Sequence, residues 1–366
     1  MGAVDGGTHL PDIQARNFVV ACYTVALVEG ETLLSKKIRH ATLQGYIKMA
    51  CICHTSVRLP DPRRAPINFI KTITDAVRKY EKVPNRREMI HDAMYEHMLV
   101  LYRRFHVKDP DCLLVSLCEW LFFGRYTGFR REEWCNEKPS EYTRITDPLW
   151  EGNDTRSVAI EDLTFFDAKG APLRVDKPLW RKPLHQLPPD IAFVELCIRK
   201  QKNNDNFQKI TYSRCTRNPF LCPVYVAFRI HCRGLRLGAP TTHPAAIYWD
   251  KPGGSYKLIT SRQVNSFLRQ TASSTFGIPA TCKSLEKWSC HSIRVTAANL
   301  LHRAKFSDSY IKNRLRWRSD AFLMYLRNTF YTAKDHTSAL ALDFTPTTED
   351  DRRPLEAHEQ LISVAA

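Results

Sequence analysis

With 366 residues, 43% of them hydrophobic, the chain is long enough to bury a sizeable core and predicts two domains of a soluble globular protein. Its 54 Lys and Arg against 38 Asp and Glu give a formal charge of +16, which points to polyanionic partners, nucleic acid first. The most apolar stretch near the start, Phe18 to Val28, is interrupted by Thr and Tyr and is too short to span a bilayer, so neither a transmembrane helix nor a membrane partner is expected.

The opening MGAVDGGTHLPD lacks the basic flank and apolar core of a signal peptide, and Gly6 breaks the myristoylation pattern, so the chain reads as intracellular. Its 12 cysteines form no CxxC pair and read as reduced thiols rather than a disulfide framework. Cys51, Cys53 and His54, and separately His231 and Cys232, find no partner pair at zinc-ligand spacing; neither a metal nor another cofactor is expected.

Helical spacing recurs over Ile13–Val28, Ile38–Cys53 and Ile67–Val83, parted by Gly30 and by the proline-rich LPDPRRAP at 59–66. These predict a small helical domain over residues 1–83. Its faces carry Lys36, Lys37, Arg39, Lys48, Lys71, Arg78 and Lys79, either as a solvated surface or as a clamp on a phosphate backbone. VPNRRE at 83–88 has the composition of a linker, and a new helical pattern runs from Met89 to about Phe105.

The apolar run Cys112–Phe123 leads into GRYTGFRREEW, where Thr127 and Gly128 predict a tight turn that holds Arg130 on a short, defined backbone. Taken alone, Arg130 is a surface charge paired with Glu132 or Glu133. Residues 136–190, rich in proline, predict irregular connections around one strand-like run, Val158–Phe166. Apolar alternation then predicts a strand over 192–198, a hairpin loop at QKNNDN with Lys202 at its tip, and a returning strand Lys209–Arg214.

Residues 215–243 read as loop around an apolar patch, Val224–Ile230. A short hairpin follows over 247–259 with the glycine pair at 253 and 254 as its turn, then a helix capped by Thr260 or Ser261 and running through Leu268. From Asp343 onward six acids face two arginines, and 346–366 reads as a flexible polar tail.

The densest chemistry lies between His291 and Tyr325. His291 and Arg294 are three apart, so on a helix they share one face. Trp317 precedes a Ser319–Asp320 start signal and a short helix-like run that contains Tyr325. From Thr281 to Tyr331 ten Lys and Arg stand against three acids, a local charge of +7. Metal-free phosphodiester transfer needs two cations on the phosphate, a nucleophile and proton carriers on either side. Arg130 and Arg294 suit the clamp, because a guanidinium stays charged and donates two parallel hydrogen bonds. A tyrosine needs a base and a positive field to attack, which His291 and the local charge can supply.

In chain order, TGFRREEW around Arg130, RKQKNNDN around Lys202, HSIR at 291–294 and LRWRSDAFLMYLR at 315–327 resemble the motifs of the tyrosine recombinase (phage integrase) family, and within it the enzymes of eukaryotic Crypton-like and DIRS-like mobile elements. The resemblance spans 84–331. It implies an α+β fold, mainly helical and in two domains, with a small antiparallel sheet carrying the lysine hairpin. Residues 1–83 would be a core-binding DNA domain and 84–345 the catalytic domain. It further implies that Arg130 and Arg294 hold the scissile phosphate and that Tyr325 attacks it to give a 3′-phosphotyrosine. Lys202 would protonate the leaving 5′-oxygen, His291 would act as base, and Trp317 would fill the family's His/Trp position.

Two features depart from that pattern. Arg316 stands where a glycine usually precedes the His/Trp position, and Trp317 lies one residue closer to the tyrosine. Lys200 and Lys209 remain alternatives to Lys202, and Tyr331 to Tyr325. The implied partners are double-stranded DNA and further copies of the chain, a dimer or tetramer on paired sites, in the nucleus if the source is eukaryotic. The alternatives are a type IB topoisomerase-like relaxing enzyme and a catalytically inactive, DNA-binding relic.

Overall fold

The computed structural model describes residues 13–31, 38–80, 86–135, 157–175, 190–199, 201, 205–324 and 326. The chain divides into two compact units, Met1–Asn85 and Arg86–Ala366.

The first unit holds three helices, α1 (Ile13–Glu29), α2 (His40–Ser56) and α3 (Phe69–Tyr80). Leu43, Ile47 and Cys51 recur every fourth residue and so line one face of α2, where they meet Val20, Ala21, Leu27 and Ile70. Buried Asn17 donates to the Pro62 carbonyl and accepts from the Phe69 N–H, fixing α1 to the start of α3. Asn68 caps that start by accepting from the Lys71 N–H, which explains why α3 begins at Phe69 rather than Ile67.

The second unit is built around α5 (Leu113–Thr127), whose central residues Val115–Gly124 are all buried. It packs against α4 (Asp92–Phe105), α7 (Pro223–Arg236) and α9 (Cys290–Arg303). The short α6 (Arg131–Trp134) follows α5 directly, and α8 (Ser261–Phe276) lies against α4. Strands β1 (Leu163–Phe166), β2 (Pro172–Leu173), β3 (Phe193–Ile198) and β4 (Gln208–Ser213) form an antiparallel sheet in the order β2-β1-β3-β4. On β3 the alternation buries Val194, Leu196 and Ile198 against α7. β5 (Ile247–Asp250) and β6 (Ser255–Leu258) form a separate hairpin. The described chain is therefore α+β, mainly helical with a small antiparallel sheet.

The structure corrects several expected elements. Residues 223–236, read from sequence as loop and apolar patch, are α7. Its helical period is masked because two residues of the inward face, Arg229 and Arg233, are charged yet each only 1% exposed. Arg233 is ion-paired with buried Glu119, and the Arg229 guanidinium lies 4.5 Å from the Tyr102 ring centre and 4.3 Å from that of Tyr225. The strand-like run from Val158 narrows to β1, because Asp162 turns the chain by accepting from the Ala159 N–H and from Arg199 Nε. α8 continues past Leu268 to Phe276 and stops at Gly277, whose φ of +65° ends the helix. Its start follows the sequence: Thr260 and Gln263 form a capping box. No described helix is long and apolar enough to cross a membrane.

Candidate active site

The site forms where the end of α5 meets the first turns of α9 and the end of α10 (Asp308–Arg314). α5 terminates on Gly128 with φ +55°. A Cβ there would stand 2.8 Å from Leu315 Cδ2 and 3.1 Å from Ala297 Cβ, so both the backbone conformation and the close approach of α9 and α10 require glycine. Phe129 is fully buried, and Arg130 follows as the N-cap of α6.

Arg130 donates through Nη1 to Glu133 Oε1 at 2.9 Å and through Nη2 to the Arg316 carbonyl at 2.5 Å, with its own N–H on Glu133 Oε2. Its side chain is 20% exposed. Arg294, on α9, is 2% exposed. It donates through Nη1 to the Gly128 carbonyl at 3.0 Å and through Nη2 to the Leu315 carbonyl at 2.5 Å, with the Arg316 carbonyl at 3.5 Å. The two guanidiniums thus converge on one carbonyl oxygen. Trp317 covers Arg294, ring centre to guanidinium carbon 4.1 Å, a contact worth about 2 kcal/mol when desolvated.

His291 sits in the first turn of α9, one turn before Arg294. Burial, then the charges of Arg294 and Arg87, lower its pKa to about 4, so the imidazole is neutral near pH 7 and a weaker base than a free histidine. Burial pushes the Glu133 carboxyl up, but the guanidiniums of Arg316, Arg294 and Arg130 outweigh it and hold the group below its ordinary value. Glu133 therefore stays ionised as the shared counter-charge of the cluster.

Two predicted site residues, Lys202 and Tyr325, lie outside the described residues, as do the alternatives Lys200 and Tyr331. The elements that flank them are in place. β3 and β4 pair antiparallel over Phe193–Ile198 and Gln208–Ser213, and buried Gln201 donates to the Asp205 carbonyl across the base of their loop. Arg318 ion-pairs Asp205 at 2.5 Å, and Arg314 donates to the Thr211 carbonyl at 2.9 Å, tying the segment around Trp317 to this hairpin. Lys209, the third lysine considered, lies on β4 paired with Glu195 at 3.0 Å. The helix-like run after Ser319 opens as a 3-10 turn, Asp320–Met324, whose Phe322 is buried with Ala297, Ala298, Ile311 and Leu315.

In the sequence Arg316 is only a departure from a pattern and Glu133 only a possible ion-pair partner of Arg130. Arg316 is 4% exposed, has φ +60°, and donates through Nη2 to Glu133 Oε2 at 2.7 Å and through Nη1 to the Thr127 carbonyl at 3.2 Å. The available signal was the run of alternating arginines at 314, 316 and 318, whose side chains diverge to the sheet, to Glu133 and to the hairpin loop.

No family model and no curated protein matches the sequence. Among solved structures, a Tn1549 transposon integrase in complex with transposon right end DNA overlaps at a TM-score of 0.45 and 12% identity, covering 89% of this chain and 85% of that one. The same integrase in complex with two circular intermediate DNAs gives TM-scores of 0.45 and 0.43 at 12% and 13% identity, covering 90% and 89% of this chain and 87% and 86% of those. Overlap at this level transfers no residue roles.

Proposed function

We propose that the chain is a DNA strand-cleaving and rejoining enzyme of the tyrosine recombinase type. The observation that carries the reading is the convergence of Arg130 and Arg294, from different elements of the unit, on the Arg316 carbonyl, with neutral His291 and Trp317 alongside. In this reading Arg130 presents its exposed edge to the scissile phosphate and Arg294 supplies charge from beneath Trp317. His291 accepts the phenol proton of Tyr325, Tyr325 forms a 3′-phosphotyrosine, and Lys202 protonates the leaving 5′-oxygen. Loss of either arginine would raise the barrier by roughly 3 to 4 kcal/mol, the scale of a single lost oxyanion donor. Residues 1–83 would act as the core-binding domain and 84–345 as the catalytic one, with two or four copies on paired sites. The motif resemblance to Crypton-like and DIRS-like elements supports a mobile-element enzyme working in a nucleus.

Trapping on a nicked-duplex suicide substrate tests this. Wild type should accumulate a covalent DNA adduct and Arg130→Ala should not; equal behaviour of the two rejects the assignment. The 2% exposure of Arg294, with its donors on carbonyls, favours a second reading: a DNA-binding relic without cleavage, which predicts no adduct from wild type.

A further inference from the structure

We propose that Arg316 is a positioning residue of this site, acting through Arg130 and Arg294, an inference that rests on the recombinase reading above. α10 ends in a Schellman cap: the Trp317 N–H donates to the Lys312 carbonyl at 2.8 Å and the Arg316 N–H to the Asn313 carbonyl at 3.1 Å. This geometry places residue 316 at φ +60°, where glycine is favoured and an arginine is strained. An arginine whose only task were solvation would point to water from there. Instead its guanidinium is buried on Glu133 and the Thr127 carbonyl.

Both ends of the residue act on the clamp. The carbonyl accepts from Arg130 Nη2 and Arg294 Nη2, and so sets where the two guanidiniums meet. The side chain takes Glu133 Oε2, which leaves Oε1 to Arg130 Nη1. Two guanidiniums then bond Glu133 while the charge of Arg294 also acts on it, and the cluster keeps a net positive charge toward a phosphate. Without the Arg316 charge, Glu133 would pull undivided on Arg130 and the clamp would lose half of that excess. Arg316 touches no reacting atom in this scheme; it holds the carboxylate that would otherwise neutralise the arginine that does.

The test compares wild type, Arg316→Gly, Arg316→Met and the double variant Arg316→Gly with Glu133→Gln, each first checked by thermal melting and duplex binding. Glycine relieves the backbone strain and methionine preserves the buried volume, so a folding failure of one leaves the other to decide. Single variants are expected to trap DNA at least about tenfold more slowly than wild type at unchanged duplex affinity, the scale of a modest loss of transition-state charge stabilisation. The double variant, which restores the net charge, should recover to within about threefold of wild type. A merely structural role predicts no recovery. Wild-type trapping by both folded single variants, or a double variant no faster than the single, overturns the inference. Should wild type form no adduct at all, the recombinase reading fails by itself, and titration with orthovanadate judges Arg316. Wild type and the double variant should then bind orthovanadate about tenfold more tightly than Arg316→Met, and equal affinities overturn the proposal.

Discussion

His291 carries its chemistry in its environment. The imidazole is packed into the first turn of α9 beside Arg294, so its charged form is disfavoured twice, by burial and by repulsion. Its pKa is about 4 in the folded chain against an ordinary 6.5. The stability that goes with the neutral ring is thus fully present above pH 6.5 and is lost as the pH falls toward 4, at most about 3 kcal/mol. Urea unfolding of wild type should show this loss between neutral pH and pH about 4.5, and His291→Asn should show a flatter profile; parallel profiles would sink the prediction. Tyr325 is tested by a substitution that keeps the ring. Tyr325→Phe should bind duplex DNA like wild type and form no adduct, while Tyr331→Phe should keep it. Mass spectrometry of the digested adduct should find the DNA on a peptide containing Tyr325.

At the scale of elements, the site depends on how closely α5, α9 and α10 approach at Gly128. Gly128→Ala adds a methyl 2.8 Å from Leu315 and forces alanine into the left-handed region, which should cost roughly 2 to 3 kcal/mol. Because the Gly128 and Leu315 carbonyls both hold Arg294, adduct formation should fall more than the melting temperature alone accounts for. A variant that melts early but cleaves at the wild-type rate below its transition would contradict this. α7 depends on buried charge as well. Glu119 accepts from Tyr102 Oη at 3.0 Å and pairs with Arg229 and Arg233, all three groups buried. Glu119→Gln takes from Arg229 the carboxylate it faces in the core and leaves Arg233 only Asp111 at 3.5 Å, and should destabilise the chain by about 3 to 5 kcal/mol in equilibrium unfolding.

For the whole molecule the governing quantity is the formal charge of +16. If the chain tracks a duplex through 6 to 10 phosphates, affinity should fall by roughly 10³ to 10⁵ between 50 and 200 mM salt. Fluorescence anisotropy across that range checks the slope, and a salt-insensitive complex would show that the charge is spent elsewhere. A small part of the charge is internal to the second unit: among the described residues Arg199, Arg229, Arg233, Arg294 and Arg316 are buried, largely offset by buried Glu119, Glu133 and Asp162. Most of the formal excess therefore lies at the surface, where the exposed lysines and arginines set the slope.

The sequence by itself determined the elements whose burial follows a period: the α1–α3 faces, the alternation of β3, the β5–β6 turn and the Thr260 cap each announce themselves within a few residues. It also offered Arg130, His291, Arg294 and Trp317 as candidates, through the resemblance of their motifs to a known family. What tertiary structure decided is which charges lie inside. A buried arginine looks like a solvated one in sequence, because only its partners distinguish them, and those partners sit on other elements: Glu119 on α5 for Arg233 of α7, and Glu133 on α6 for Arg316 beyond α10. The resemblance set Arg130 and Arg294 on one phosphate, but only the tertiary structure places both guanidiniums on the backbone carbonyl of Arg316.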